Sequence, residues 1–98
     1  MKLYELFYEE GGTSIEGKVD VYFWHGHTEY YLIDGKEFDG GDGMSRSDFK
    51  HIKNFDEWFD TAEVGYMFAI DNTLRIELNM EELDYTGNDF DTYVKENF

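Results

Sequence analysis

His25-Gly26-His27 places two imidazoles two residues apart, so on an extended segment they point to the same side and can share a metal ion. No third ligand is specified. His51, the remaining histidine, falls on a predicted helix, and in a chain with 23 Asp and Glu any carboxylate can complete a site, so a polar turn explains the pair equally well. Asp34, Glu37, Asp39 and Asp42 lie among glycines and invite a calcium reading, but their spacing departs from the alternate oxygens and closing Glu of an EF-hand loop. A glycine-rich connection with solvated acids is the simpler expectation. Paired carboxylates can also do acid and base work. With 23 acids some pair always falls at a workable separation, and no serine nucleophile motif, Walker loop or HExxH accompanies them. No catalytic residue and no cofactor is therefore assigned, and a non-enzyme is expected. A small metal-dependent enzyme using His25, His27 and nearby acids is the reading from the opposite class.

The acids carry more information as a population. The chain holds 23 Asp and Glu against 8 Lys and Arg, for a formal net charge of -15, yet 19% of its 98 residues are aromatic. A solvated acidic tail would lack the material for a core, whereas a folded domain with this imbalance accepts self-repulsion and projects a field that attracts a basic partner. The eight bases are scattered from Lys2 to Lys95, which argues against direct binding to nucleic acid. From residue 56 to residue 98 there are twelve acids and two bases, Arg75 and Lys95. Asp56, Glu57, Asp60 and Glu63 sit at spacings that, on a helix, put carboxylates about 5 to 6 Å apart along one edge. Glu81, Glu82, Asp84, Asp89 and Asp91 extend the row. Such a row can occupy sites that a protein built for phosphates. Asp89 and Asp91 also have a local explanation, since acids in the first turn of a helix favour its dipole.

These residues need elements to hold them. One domain, residues 1–98, is expected, with an α+β fold: an antiparallel sheet of four to five strands, one central helix and short C-terminal helical elements. A strand is predicted over 3–9, ending at Gly11 and Gly12. A second, 18–24, puts Val19, Val21 and Phe23 on one face and Asp20, Tyr22 and Trp24 on the other. A third covers 29–33, with Asp34-Gly35 as a hairpin turn and 36–38 as its return strand. After the loop 39–43, Ser45 and Asp48 resemble a capping box that opens a helix to about residue 60, with Phe49, Ile52, Phe55 and Trp58 or Phe59 as its apolar stripe and a break near Asn54. Strands 64–70 and 74–78 flank Asp71-Asn72, with Leu74, Ile76 and Leu78 inward and Arg75 and Glu77 outward. A turn of helix at 80–85 and a last helix capped by Asn88, with Phe90, Tyr93, Val94 and Phe98 inward, complete the chain. If one sheet face is uncovered, Tyr22 and Trp24 become interface anchors.

There is no cysteine and no stretch near the roughly 18 apolar residues of a membrane span, and MKLYELFYEEGG lacks the pattern of a secretory signal. A cytoplasmic protein without a membrane partner is expected.

In size, charge and lack of cysteine, and in the acid runs FDEWFDTAE and NMEELDYTGNDFD, the chain resembles the small acidic inhibitors that phages encode against host defences, the anti-CRISPR and anti-restriction proteins of DNA-mimic type. The resemblance is one of overall character, so no family residue is carried over. It implies stoichiometric inhibition of a basic nucleic-acid-binding protein, a CRISPR effector nuclease or a restriction enzyme. Carboxylates would occupy the Lys and Arg that hold a PAM duplex or target backbone, and blocking PAM reading stops recognition before base pairing begins. An immunity-type inhibitor of a basic toxin nuclease is the alternative.

Overall fold

Alternation dictates the first strand. Val19, Val21 and Phe23 are fully buried, and β1 runs Glu16–His25. A turn at Gly26, whose φ is +63°, leads into β2, Thr28–Asp39, antiparallel to β1 from His25↔Thr28 to Glu16↔Asp39. The computed structural model describes residues 1–12, 14–41, 43–80 and 89–98. Asp34-Gly35 is not a hairpin turn, and residues 36–38 are not a return strand. Both belong to one twelve-residue β2, which gains a residue on β1 between Val19↔Lys36 and Val21↔Ile33. Gly35 takes a φ of +63° there, and its N–H donates to Asp20 Oδ1 at 2.7 Å. The left-handed tolerance that suits a turn here serves a bulge, and the strand continues past it.

β3, Glu63–Ile70, and β4, Thr73–Asn79, form the expected hairpin, with Asp71 and Asn72 at φ of 52° and 60° as a primed two-residue turn requires. Ile76 and Leu78 are buried, as the alternation predicted. The strand order is β2-β1-β4-β3, and β1 pairs with β4 in parallel from Lys18↔Thr73 to Phe23↔Leu78. The sheet is thus mixed rather than antiparallel throughout: two hairpins lie side by side, joined along their first and last strands.

One face of the sheet carries the core. The segment expected as a first strand instead forms 3-10 turns at Leu3–Leu6 and Tyr8–Glu10, with Leu3 and Phe7 fully buried and the Leu3 and Tyr8 N–H groups donating to the Ala62 and Met44 carbonyls at 2.8 and 3.1 Å. The predicted central helix is also broken up. A 3-10 turn at Arg46–Phe49 opens with the Ser45 N–H donating to Asp48 Oδ2 at 2.8 Å, and the short α1, Phe55–Trp58, follows Asn54 at φ 58°. The left-handed residue breaks the helix where expected. α2, Asp89–Asn97, buries Phe90, Tyr93 and Val94. Rings interlock across this layer: Phe23 meets Phe59 at 5.5 Å and Phe90 at 5.8 Å, and Phe49 stacks on Phe55 at 4.4 Å. Each buried aromatic contributes on the order of 1.5 to 3 kcal/mol of transfer free energy. The turn of helix expected at 80–85 and the Asn88 cap lie outside the described residues, apart from Met80, which is buried.

Candidate protein-binding surfaces

The described helices and turns pack on the Val19, Val21 and Phe23 side, so Tyr22 and Trp24 fall on the face that they leave open. They do so in different ways. Trp24 is 50% exposed, its Nε1–H donating to Glu77 Oε1 at 3.1 Å, whereas Tyr22 is 2% exposed. Arg75 makes the difference. β4 pairs Arg75 with Asp20 of β1, so its side chain lies across the open face with its guanidinium 4.1 Å from the Tyr22 ring centre. Nε donates to Asp20 Oδ2 at 3.2 Å, and Nη2 donates to Glu29 Oε1 at 2.8 Å and to the Tyr31 hydroxyl at 2.9 Å. The Tyr31 hydroxyl itself donates to Glu29. One cation thus ties β1, β2 and β4 together and roofs the tyrosine. Burial, reinforced by Glu77, pushes the Tyr22 phenol up to about 12 although Arg75 pulls the other way. The Tyr31 phenol is raised chiefly by its bond to Glu29.

Beyond Arg75 the open face becomes apolar. Tyr66, Phe68 and Ile70 of β3 are 67%, 42% and 52% exposed, and Trp24 shares a groove of about 360 Å³ with Gly65, Tyr66, Glu77 and Asn79. On the core side of the same strand Met67 is exposed beside a second groove of about 390 Å³, lined by Leu6, Ile15, Leu74 and Ile76. β3 is therefore apolar and exposed on both faces. Sequence reasoning placed it as a hairpin strand and missed this. The signal was an unbroken uncharged run over 64–70, meaningful once the strand order puts it at the edge.

The acids of the predicted row differ in how far they are free to meet a partner. Asp56 and Glu57 are exposed on α1, with Asp56 3.8 Å from Arg46. Asp60 is occupied: both its oxygens accept from Arg46 Nη2, at 2.9 and 3.0 Å, while Arg46 Nη1 reaches Glu10 at 2.8 Å. Glu63 lies at the start of β3, 3.0 Å from both Lys2 Nζ and the Met1 amino group, and those bonds hold its carboxyl below the usual range. Asp89 and Asp91 are exposed in the first turn of α2, and Asp91 Oδ1 is 2.7 Å from His25 Nε2. Glu81, Glu82 and Asp84 lie outside the described residues. Of the described acids in the row, Asp56 and Glu57 on α1 and Asp89 and Asp91 on α2 are exposed, on two helices that meet through Trp58, Phe90 and Tyr93.

His25 faces Asp91 and His27 is exposed; among the described residues no three of His, Asp and Glu converge as a metal ion would require. Asp34, Glu37 and Asp39 belong to β2 rather than to a loop, Asp39 accepting from the Gly41 N–H at 2.9 Å, and Asp42 lies outside the described residues.

No protein family, curated protein or solved structure matches this chain. Among the described residues no helix is long and apolar enough to cross a membrane. The surfaces themselves therefore carry the functional argument.

Proposed function

We propose that the protein is a stoichiometric inhibitor of a basic nucleic-acid-binding nuclease, of the anti-CRISPR kind, that covers a DNA- or PAM-binding surface by presenting carboxylates where phosphates would lie. The observation that carries this reading is the way the chain uses its bases. Lys2, Lys36, Arg46 and Arg75, four of the eight, are committed to internal ion pairs with Glu63, Asp48, Asp60 and Asp20. Each of these cations is matched by a carboxylate of the same chain, while Asp56, Glu57, Asp89 and Asp91 face solvent, so the field outside a rigid aromatic core is acidic. Trp24 beside the open face supplies the kind of ring that anchors protein interfaces.

The test is a DNA-cleavage assay with an RNA-guided nuclease, titrated with the protein before and after target DNA is added. Inhibition that reaches completion near equimolar protein, and is weakened by preloading the DNA, is expected. The variant Asp56→Lys, Glu57→Lys should lose affinity by roughly tenfold or more, and the loss should shrink as salt rises. Full potency in that variant would remove α1 from the contact. Potency against a restriction enzyme or a toxin ribonuclease, with none against the RNA-guided enzyme, would move the target class while keeping the electrostatics.

A further inference from the structure

We propose that β3 is a self-association edge: two copies of the chain pair antiparallel through residues 65–71, centred on Phe68, to make one continuous eight-stranded sheet. One edge of β3 is taken by β4. On the other, Lys2 bridges Glu63, the Val64 N–H donates to the Met1 carbonyl at 2.7 Å and the Leu3 N–H donates to the Ala62 carbonyl at 2.8 Å. Met1 to Leu3 thus pair with and cap that edge up to Val64, and among the described residues none pairs with it from Gly65 onward. An uncovered edge presents unpaired N–H and C=O groups along its length. Natural edges are usually blunted by charge, proline or a bulge; this one has neither charge nor proline from 64 to 70, in a chain that is 32% charged and otherwise strongly acidic, and its register shift between Val64 and Tyr66 sits at the end of the stretch, leaving Tyr66 to Ile70 regular.

The occupant follows from symmetry and charge. In an antiparallel pair opposed residues point to the same side, so a two-fold pair must be centred on a residue. The open stretch 65–71 is centred on Phe68. That register sets Phe68 against its twin, Tyr66 against Ile70 on the open face, and Met67 against Ala69 on the core face, so apolar groups meet apolar groups on both sides. It also brings Asp71 of one copy, opposite Gly65, to the end of the other copy's cap, where two cations, Lys2 and the Met1 amino group, share the single carboxylate of Glu63. A second copy therefore offers the matching strand and the matching charge. This proposal does not rest on the inhibitor reading, and its test needs no target protein.

The chain has no cysteine, so a single introduced one reports the register. Twin residues at the axis have Cα atoms about 4.5 to 5.5 Å apart, within disulfide range, whereas residue 66 and its twin are separated by four residue steps, roughly 13 Å. Phe68→Cys should crosslink rapidly under mild oxidation and Tyr66→Cys should not. Sedimentation should show a weak dimer, with Kd on the order of 10 to 100 µM as befits an interface below about 1,200 Å², tightening as salt screens the repulsion between two copies. Phe68→Lys should weaken it at least about tenfold, and Asp71→Asn, which keeps the turn, by a few-fold. Thermal melts of each variant check that the fold is intact. A chain that is monomeric across that concentration range, or that crosslinks through Tyr66→Cys and not Phe68→Cys, overturns the proposal.

Discussion

Replacing Arg75 by Met removes one cation and leaves three carboxylates, Asp20, Glu29 and Glu77, on the same small area of the open face. In the native protein the Arg75 and Asp20 side chains are 20% and 14% exposed and Glu29 is 21% exposed, so the pairs are largely shielded from water. Breaking a buried pair by removing one partner costs about 3 to 5 kcal/mol; the residual exposure argues for the lower end, about 3. Loss of the guanidinium over Tyr22 adds roughly 1 kcal/mol, partly offset because Met still covers the ring. For a domain of this size about 3 kcal/mol lowers Tm by on the order of 10 to 20 °C. Urea denaturation followed by circular dichroism measures it. The electrostatic origin is separated by Arg75→Met combined with Asp20→Asn and Glu29→Gln, which keep the acceptors for the Gly35 N–H and the Tyr31 hydroxyl but remove the charge. The triple variant should recover about half of the loss if stranded charge is the cause. A single-variant loss below about 1 kcal/mol, or a triple variant less stable than the single, refutes the account.

Between pH 8 and 10 Tyr22, Tyr31 and Tyr93 leave stability unchanged, and it should fall as pH climbs from 10 towards about 12, because Tyr22, and with it the other two, keeps in the fold a proton that the unfolded chain releases near 10. Melting temperatures between pH 8 and about 11 check this, and a rise across that range would contradict it. Phe59→Ala removes a fully buried ring that meets Phe23, Phe90 and Tyr93, and should cost about 3 to 5 kcal/mol in urea denaturation; a cost near that of a surface change would show the ring layer to be loosely packed. Added sodium chloride should raise Tm by screening a net charge of -15, and a Tm that drops with salt would mean the internal ion pairs outweigh the repulsion.

The parts of the fold that were legible in the sequence are those set by neighbours along the chain. Leu74, Ile76 and Leu78 alternate beside Asp71-Asn72, and both the hairpin and its turn follow from that. Ser45 with Asp48, the break at Asn54 and the inward face of α2 are equally local. Asp34-Gly35 was not decidable, because the same dipeptide suits a turn and a bulge and only the partner strand chooses. Residues 3–9 misled for a related reason: Leu3 and Phe7 fit a period of two as well as a turn. The surfaces depended on distant partners. That Asp60 would be held by Arg46, Glu63 by Lys2 and Tyr22 roofed by Arg75 follows from which elements meet, and the exposure of Tyr66 and Phe68 follows from β3 being outermost. The α+β class was readable; the parallel pairing of β1 with β4 was not.

That parallel pairing also bears on how the chain reaches its native state. Each hairpin closes over a short connection, but the seam between them joins residues such as Asp20 and Arg75, 55 positions apart. Closing so long a loop costs entropy before its contacts repay it, so the halves are poised to organise early and the seam to join late, at the step that limits the folding rate. Until then β1 and β4 would each expose a bare side, and the protein would be at its most vulnerable to wrong pairing. The clasp of Arg75 on Asp20 and Glu29 then acts as a register check on the final docking, since a slip of one residue would turn the guanidinium towards the apolar layer and away from both carboxylates.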